Sequence, residues 1–171
     1  MDGNEYEGYW KDDMLNGECK ITLYDGTLYV GSIKEGEKHG YGKLVYSNSD
    51  VYIGNFEDDQ RHGHGKKIYA NGNIYEGDHK QNSRSGKGVF TMTDGVTYDG
   101  YWVNNDKNGK GKLLKDNGSC YEGYFAKGCK HGKGRKVYPD GRVYEGEWIM
   151  GKKDGHGKMS YLNGVVYEGQ W

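Results

Sequence analysis

Tyrosine recurs every 23 residues along this chain, at Tyr6, Tyr29, Tyr52, Tyr75, Tyr98, Tyr121, Tyr144 and Tyr167, and each is followed two residues later by glycine, from Gly8 to Gly169. A fixed period without insertions means a stack of equivalent units, each burying its surface against its neighbours. Seven complete repeats begin at residues 6, 29, 52, 75, 98, 121 and 144; a half repeat spans 167–171, and residues 1–5 form a lead-in. Only 33% of residues are apolar and 31 are glycine, values that would suit a disordered chain. Seventeen tyrosines and four tryptophans at regular spacing exclude that reading.

Counting each tyrosine as position 1, positions 20 and 21 read Asp25-Gly26, Asn48-Ser49, Asn71-Gly72, Asp94-Gly95, Asn117-Gly118, Asp140-Gly141 and Asn163-Gly164. Asn-Gly and Asp-Gly favour type I′ hairpin turns, and only Ser49 predicts a looser one. Position 8 holds Asp13, Gly36, Asp59, Asn82, Asn105, Gly128 and Gly151, residue types that tolerate the left-handed region and mark a second turn. Two turns per period leave two strands of about 6–8 residues. Two glycines early in each second strand, as in Gly40-Tyr41-Gly42, mark bulges and bare backbone on which neighbouring rings can lie.

The expected fold is all-β: a single elongated, twisted antiparallel meander, one hairpin per repeat. Fifteen strands at ~4.8 Å would form a curved ribbon roughly 70 Å long. One face should hold the packing while the other exposes a ladder of aromatic rings. Apolar residues occupy both parities, Tyr75 and Phe90 beside Ile74 and Val89, so the faces are not assigned position by position.

The phrase Tyr144-Glu145-Gly146-Glu147-Trp148, then Gly151-Lys152, Gly155-His156-Gly157 and Asn163-Gly164, resembles the MORN repeat (membrane occupation and recognition nexus), and the resemblance covers residues 6–171. It implies a non-catalytic scaffold or tether in membrane–cytoskeleton, ciliary or flagellar assemblies. It also implies partner helices held in a groove, homodimers, and a proposed affinity for phospholipid. Similar repeats precede catalytic domains in phosphoinositide kinases and lysine methyltransferases, so a regulatory module of a larger enzyme is an alternative. Three positions depart from the pattern: Cys19 replaces a position-14 glycine, giving the first repeat the character of a worn cap, His79 breaks the position-5 aromatics, and position 11 is histidine only at His39, His62 and His131.

The chemistry of the chain points the same way. Gly63-His64-Gly65-Lys66 and Gly109-Lys110-Gly111-Lys112 resemble phosphate-loop fragments, but no helix follows to hold an anion. His62 and His64 share a face without a third ligand, and Cys129 and His131 lack a catalytic partner. No cofactor, metal or catalytic residue is assigned, and no nucleic acid is expected at a net charge of −1. Three cysteines, odd in number and without a C-x-x-C pair, suggest a reduced intracellular setting, and the resemblance implies the cytoplasm or cytoskeleton. No apolar run is long enough for a transmembrane segment.

A basic row at position 15, with Lys43, Lys66, Lys112, Arg135 and Lys158, could follow anionic lipid. An acidic row at position 2 runs beside it, and a salt-bridged surface is the plainer reading. The partner-binding groove is assigned to Tyr6, Trp10, Tyr29, Tyr52, Phe56, Tyr75, Tyr98, Trp102, Tyr121, Phe125, Tyr144, Trp148, Tyr167 and Trp171. Exposed rings of this kind mark interaction surfaces, and an amphipathic helix or peptide is the expected guest. Open strand edges predict self-association, as a homodimer through the C-terminal end.

Overall fold

The computed structural model describes residues 3–171; Met1 and Asp2 of the lead-in lie outside the described residues. The strands are β1 Glu5–Lys11, β2 Met14–Thr22, β3 Leu28–Lys34, β4 Glu37–Val45, β5 Val51–Glu57, β6 Gln60–Ile68, β7 Ile74–Lys80, β8 Ser83–Thr91, β9 Thr97–Val103, β10 Asp106–Leu114, β11 Cys120–Ala126, β12 Cys129–Val137, β13 Val143–Ile149, β14 Lys152–Ser160 and β15 Val166–Gln170. All are antiparallel in one open meander whose order follows the chain, with no helix among the described residues. Two compact units divide it, one ending at Arg84 and one running from Ser85 to Trp171.

The type I′ turns fall at the other turn of each repeat, not at the Asn-Gly and Asp-Gly pairs where the sequence placed them. Positions 7 and 8 carry the type I′ turns, with φ of 48° and 63° at Asp58 and Asp59, and 48° and 77° at Lys127 and Gly128. At the Asn-Gly pairs only the glycine turns left-handed, as at Gly72 with φ 85°. Gly72 N–H donates to the Tyr69 carbonyl (2.8 Å) and Tyr69 N–H to the Asn73 carbonyl (2.9 Å). That is a type I turn closed by a left-handed residue, the three-residue hairpin loop with a glycine bulge. Asn71 Oδ1 accepts from Asn73 N–H (3.1 Å), which explains the Asn/Asp before the glycine. Ser49, expected to loosen its turn, instead adopts φ 70° and closes the same loop from Tyr46 to Asp50.

The glycines behave as predicted. Pairing shifts register between positions 3 and 5, as at Gly54/Phe56 and Gly123/Phe125. Opposite this shift the position-12 glycine is left-handed, with φ 65° at Gly63 and 64° at Gly132. The bulge leaves the position-4 carbonyl outside the ladder, and the position-1 phenol donates to it. Tyr52 Oη lies 2.9 Å from the Asn55 carbonyl, and Tyr121 Oη 3.0 Å from that of Tyr124. Each tyrosine ring reaches this acceptor by lying across bare glycine backbone, Tyr52 over Gly54 and Gly65, Tyr121 over Gly123 and Gly134.

Within each unit these rings form an alternating edge-to-face column. Tyr52 meets Phe56 and His79, each at 5.1 Å. In the second unit Tyr98 meets Phe125 at 5.0 Å, Tyr121 meets Phe125 at 5.1 Å and Trp148 at 5.3 Å, and Tyr144 meets Trp171 at 5.0 Å. Such contacts add ~0.5–1.5 kcal/mol each beyond area burial. The indoles are tied as well: Trp102, Trp148 and Trp171 donate to the carbonyls of Gly88, Gly134 and Gly157. Burial pushes the phenols of Tyr52, Tyr98 and Tyr121 up to about 12, so they remain donors at any physiological pH.

Candidate functional site

The column of rings is a core and not an open groove. Tyr29, Tyr52, Phe56, Tyr75, Tyr98, Trp102, Tyr121, Phe125, Tyr144 and Trp148 are each at most 4% exposed. Their cover comes from neighbouring rings and from position-10 cations, Arg61 over Tyr52 (5.7 Å) and Lys130 over Tyr121 (5.2 Å). Only Tyr6, Trp10, Tyr167 and Trp171, on the first and last strands, stay exposed. The expected exposed ladder is therefore corrected. One repeat's ring is covered by the next, a relation that strand alternation within a single repeat does not display.

The opposite face is open. Along each strand, positions 2, 4, 13 and 15 alternate with the buried positions and point away from the rings. Glycines 3 and 14 pair across strands and give this face a strip of bare backbone. In the second unit Gly100, Gly111 and Gly123 floor a cleft of about 470 Å³. Asp99, Lys112 and Glu122 stand along one side, and Lys87, Tyr101 and Lys110 along the other. A second cleft of about 420 Å³ lies over Gly134, Gly146 and Gly157, between Arg135, Glu145, Lys158 and Glu168 on one side and Lys133, Glu147 and His156 on the other. In the first unit a shallower cleft of about 380 Å³ runs past His39, Asn55, Glu57 and His62.

The large rings displayed beside these clefts are position-4 tyrosines, Tyr101 at 52% and Tyr124 at 45% exposure; in the first unit Tyr41, at position 13, is 63% exposed. Tyr124 is held under Lys110, whose Nζ lies 5.7 Å from the ring centroid. Sequence reasoning passed over these residues because positions 4 and 13 change from repeat to repeat. That variation was the available signal. A position that must fill the same packing site in every repeat stays constant, as tyrosine does at position 1 and glycine at position 3.

The basic row lies on the open face, opposite carboxylates. Lys20 pairs with Glu7 (2.6 Å), Lys66 with Glu76 (3.3 Å) and Arg135 with Glu145 (2.9 Å). Lys112 stands across from Asp99 and Glu122, and Lys158 across from Glu145 and Glu168. Lys43 alone of the row faces apolar residues, Val30 and Ile53. His62 and His64 turn to different strands, His62 toward Glu57 (3.1 Å) and His64 toward Asp78 (3.3 Å). Among the described residues no group of three His, Cys, Asp or Glu side chains is arranged to hold a metal ion. Cys19, Cys120 and Cys129 are free thiols, with Cys19 buried where later repeats place a glycine.

Hairpins of one length, a buried column of rings and an open glycine-floored face define an all-β hairpin-repeat protein. The chain belongs to the MORN repeat family, which matches residues 6–28, 29–51, 52–74, 75–97, 98–120, 121–141 and 144–166. No curated protein matches it significantly. Among solved structures, the TCP domain of SAS-4 (dCPAP) of Drosophila melanogaster, in complex with a proline-rich motif of Ana2 (dSTIL), is similar in fold. It aligns at TM-score 0.55 with 17% identity over 91% of this chain and 85% of that one. The TCP10c domain of Drosophila melanogaster Sas-4 aligns at TM-score 0.52 with 15% identity, covering 98% of this chain and all of that one.

Proposed function

We propose that this protein is a non-enzymatic scaffold that holds a segment of another protein against its open face, as part of a cytoskeletal assembly. The observation that carries the reading is the pair of exposed tyrosines, Tyr101 and Tyr124, beside a cleft floored by bare backbone. Half-exposed tyrosines offer large contact area with a polar tip. One wall of the cleft, Asp99, Lys112 and Glu122, alternates in sign, which suits a polypeptide better than a uniformly anionic surface. The family's scaffolding roles and a similar fold solved with a proline-rich motif support the same reading.

The test is comparative affinity purification with quantitative mass spectrometry, using wild type and the double variant Tyr101→Ser/Tyr124→Ser. Loss of a defined set of proteins from the variant, with unchanged circular dichroism, is the expected result. An identical set from both would reject the open face as the site.

A further inference from the structure

On the ring face two lysines of the first unit have carboxylate partners that their counterparts in the second unit lack, while Arg61 between them is held by the neutral Asn82. In the first unit Lys38, at position 10, pairs with Asp59, at position 8 of the following repeat. Lys67, at position 16, pairs with Asp50, at position 22 of the preceding repeat, at 2.8 Å with the side chains only 15% and 12% exposed. The second unit keeps the lysines and removes the acids. Lys130 occupies position 10, but its position-8 neighbour is Gly151, whose N–H still donates to the Lys130 carbonyl (2.9 Å). Lys136 occupies position 16, but the place of Asp50 is taken by Ser119, whose hydroxyl donates to the Val137 carbonyl. Among the described residues no carboxylate is ion-paired with Lys130, Lys136 or Lys153.

These ammonium groups lie over rings of this face, as Lys38 and Lys67 do, but without a carboxylate beside them. Lys130 Nζ is 4.9 Å from the Trp148 centroid, Lys136 Nζ 4.3 Å from Tyr138, and Lys153 Nζ 3.9 Å from Trp171 and 4.8 Å from Tyr144. Ring faces offset part of the cost of crowding like charges but do not neutralise them. Burial, and then the charges of Lys136, Lys115 and Lys107, push the Lys130 ammonium down to about 8. Burial and neighbouring cations lower Lys136 and Lys153 as well.

We propose that the ring-face strip formed by Lys130, Lys136 and Lys153 in the second unit binds an acidic peptide segment of a partner, whose carboxylates take the places that Asp50 and Asp59 fill in the first unit. Lys130 and Lys153 are one repeat apart, or two strand spacings, ~10 Å. Every third residue of an extended polyproline-type segment advances ~9.3 Å, so a Glu at each third position meets successive lysines. The ammonium groups are half-buried among rings. A protruding carboxylate side chain reaches them, whereas a flat bilayer surface meets exposed groups first. This site is on the opposite face from the tyrosine clefts and does not rest on them.

Fluorescence anisotropy tests the assignment, with a labelled peptide of about twelve residues carrying Glu at every third position and a Gln-for-Glu control. Wild type binds the Glu peptide, more weakly as salt rises, and does not bind the control. Gly151→Asp restores the first-unit arrangement without removing a lysine. Its backbone φ of 84° is of the kind Asp59 already adopts, and nothing lies within 4 Å of the new Cβ. This variant weakens binding about tenfold, as expected for loss of one charged hydrogen bond. Lys130→Gln/Lys153→Gln does at least as much, Lys130→Arg/Lys153→Arg retains binding, and Tyr101→Ser/Tyr124→Ser leaves it unchanged. Equal binding of the Gln peptide, an unaffected Gly151→Asp variant, or absent peptide binding would overturn the proposal. So would capture of phosphatidylinositol bisphosphate vesicles in place of the peptide, lost in the same variants.

Discussion

Gly123→Ala isolates what the position-3 glycine does. A methyl there would stand 2.6 Å from Tyr121 Oη and 2.6 Å from the Cα of Gly134. One obstacle is backbone on the facing strand and the other is a ring tip fixed by its hydrogen bond, so neither can give way cheaply. If the structure strains to keep the ring, overpacking costs ~1–3 kcal/mol. If the ring leaves instead, the phenol bond to Tyr124 is lost, ~1 kcal/mol. Its edge-to-face contacts with Phe125 and Trp148 go too, ~0.5–1.5 kcal/mol each. The two routes together bracket a loss of about 2–3 kcal/mol, or a urea midpoint lower by roughly 1–1.5 M at a slope of ~2 kcal/mol/M. Equilibrium unfolding followed by circular dichroism and tryptophan fluorescence reads it. Gly123→Ala/Tyr121→Leu, which removes the ring the methyl meets, should be less destabilised than the two single variants summed, by ~1 kcal/mol or more. Gly118→Ala is the reference: its φ is 78° but no atom lies within 4 Å, so it costs strain alone, ~1–2 kcal/mol. A Gly123→Ala variant within ~0.5 kcal/mol of wild type would refute the reasoning.

His79 is 4% exposed, its Nδ1 has no hydrogen-bond partner among the described residues, and burial followed by the Arg61 charge pushes its pKa down to about 4. His79→Phe, matching Phe56 and Phe125, should stabilise by ~1 kcal/mol at neutral pH by removing the unsatisfied nitrogen. In wild type the unfolded chain takes up this proton near 6.5 while the folded one waits until about 4. The imidazole's contribution is thus intact above 6.5 and is lost as pH falls toward 4; His79→Phe should lack that acid limb, and matching acid profiles would contradict the assignment. Ser49→Gly relieves a left-handed serine in an otherwise unchanged loop. A gain of ~0.5 kcal/mol remains after the extra chain entropy of glycine, raising Tm by about 1–2 °C, whereas a lower Tm would show that the Ser49 side chain stabilises its turn.

The period, the number of strands and the bulges were legible because each is written in a local pattern: tyrosine every 23 residues, turn residues at two fixed positions, and paired glycines. The turn types were not. Asp25-Gly26 suits either a type I′ turn or a type I turn closed by glycine, and the choice follows from which residues the flanking strands pair. The role of the rings was also hidden. Trp148 looks exposed when the hairpin of β13 and β14 is taken alone. It is covered because Tyr121, 27 residues earlier, lies against it from the preceding repeat. The position-10 lysines were visible as a basic row, but their lack of a carboxylate was hidden for a related reason: Gly151 reads as a good turn residue, and only its place beside Lys130 reveals the missing acid.

The phenol-to-carbonyl bond at every bulge has a consequence for how such a chain can change length. Tyr98, Tyr121 and Tyr144 each fasten their own strand three residues along, so registration is set afresh in every repeat and no error carries forward. Deleting residues 121–143 would bring Trp148 to the place where Phe125 now meets Tyr98, one aromatic edge exchanged for another. Evolution or an engineer can therefore lengthen or shorten the sheet in whole modules without redesigning any junction.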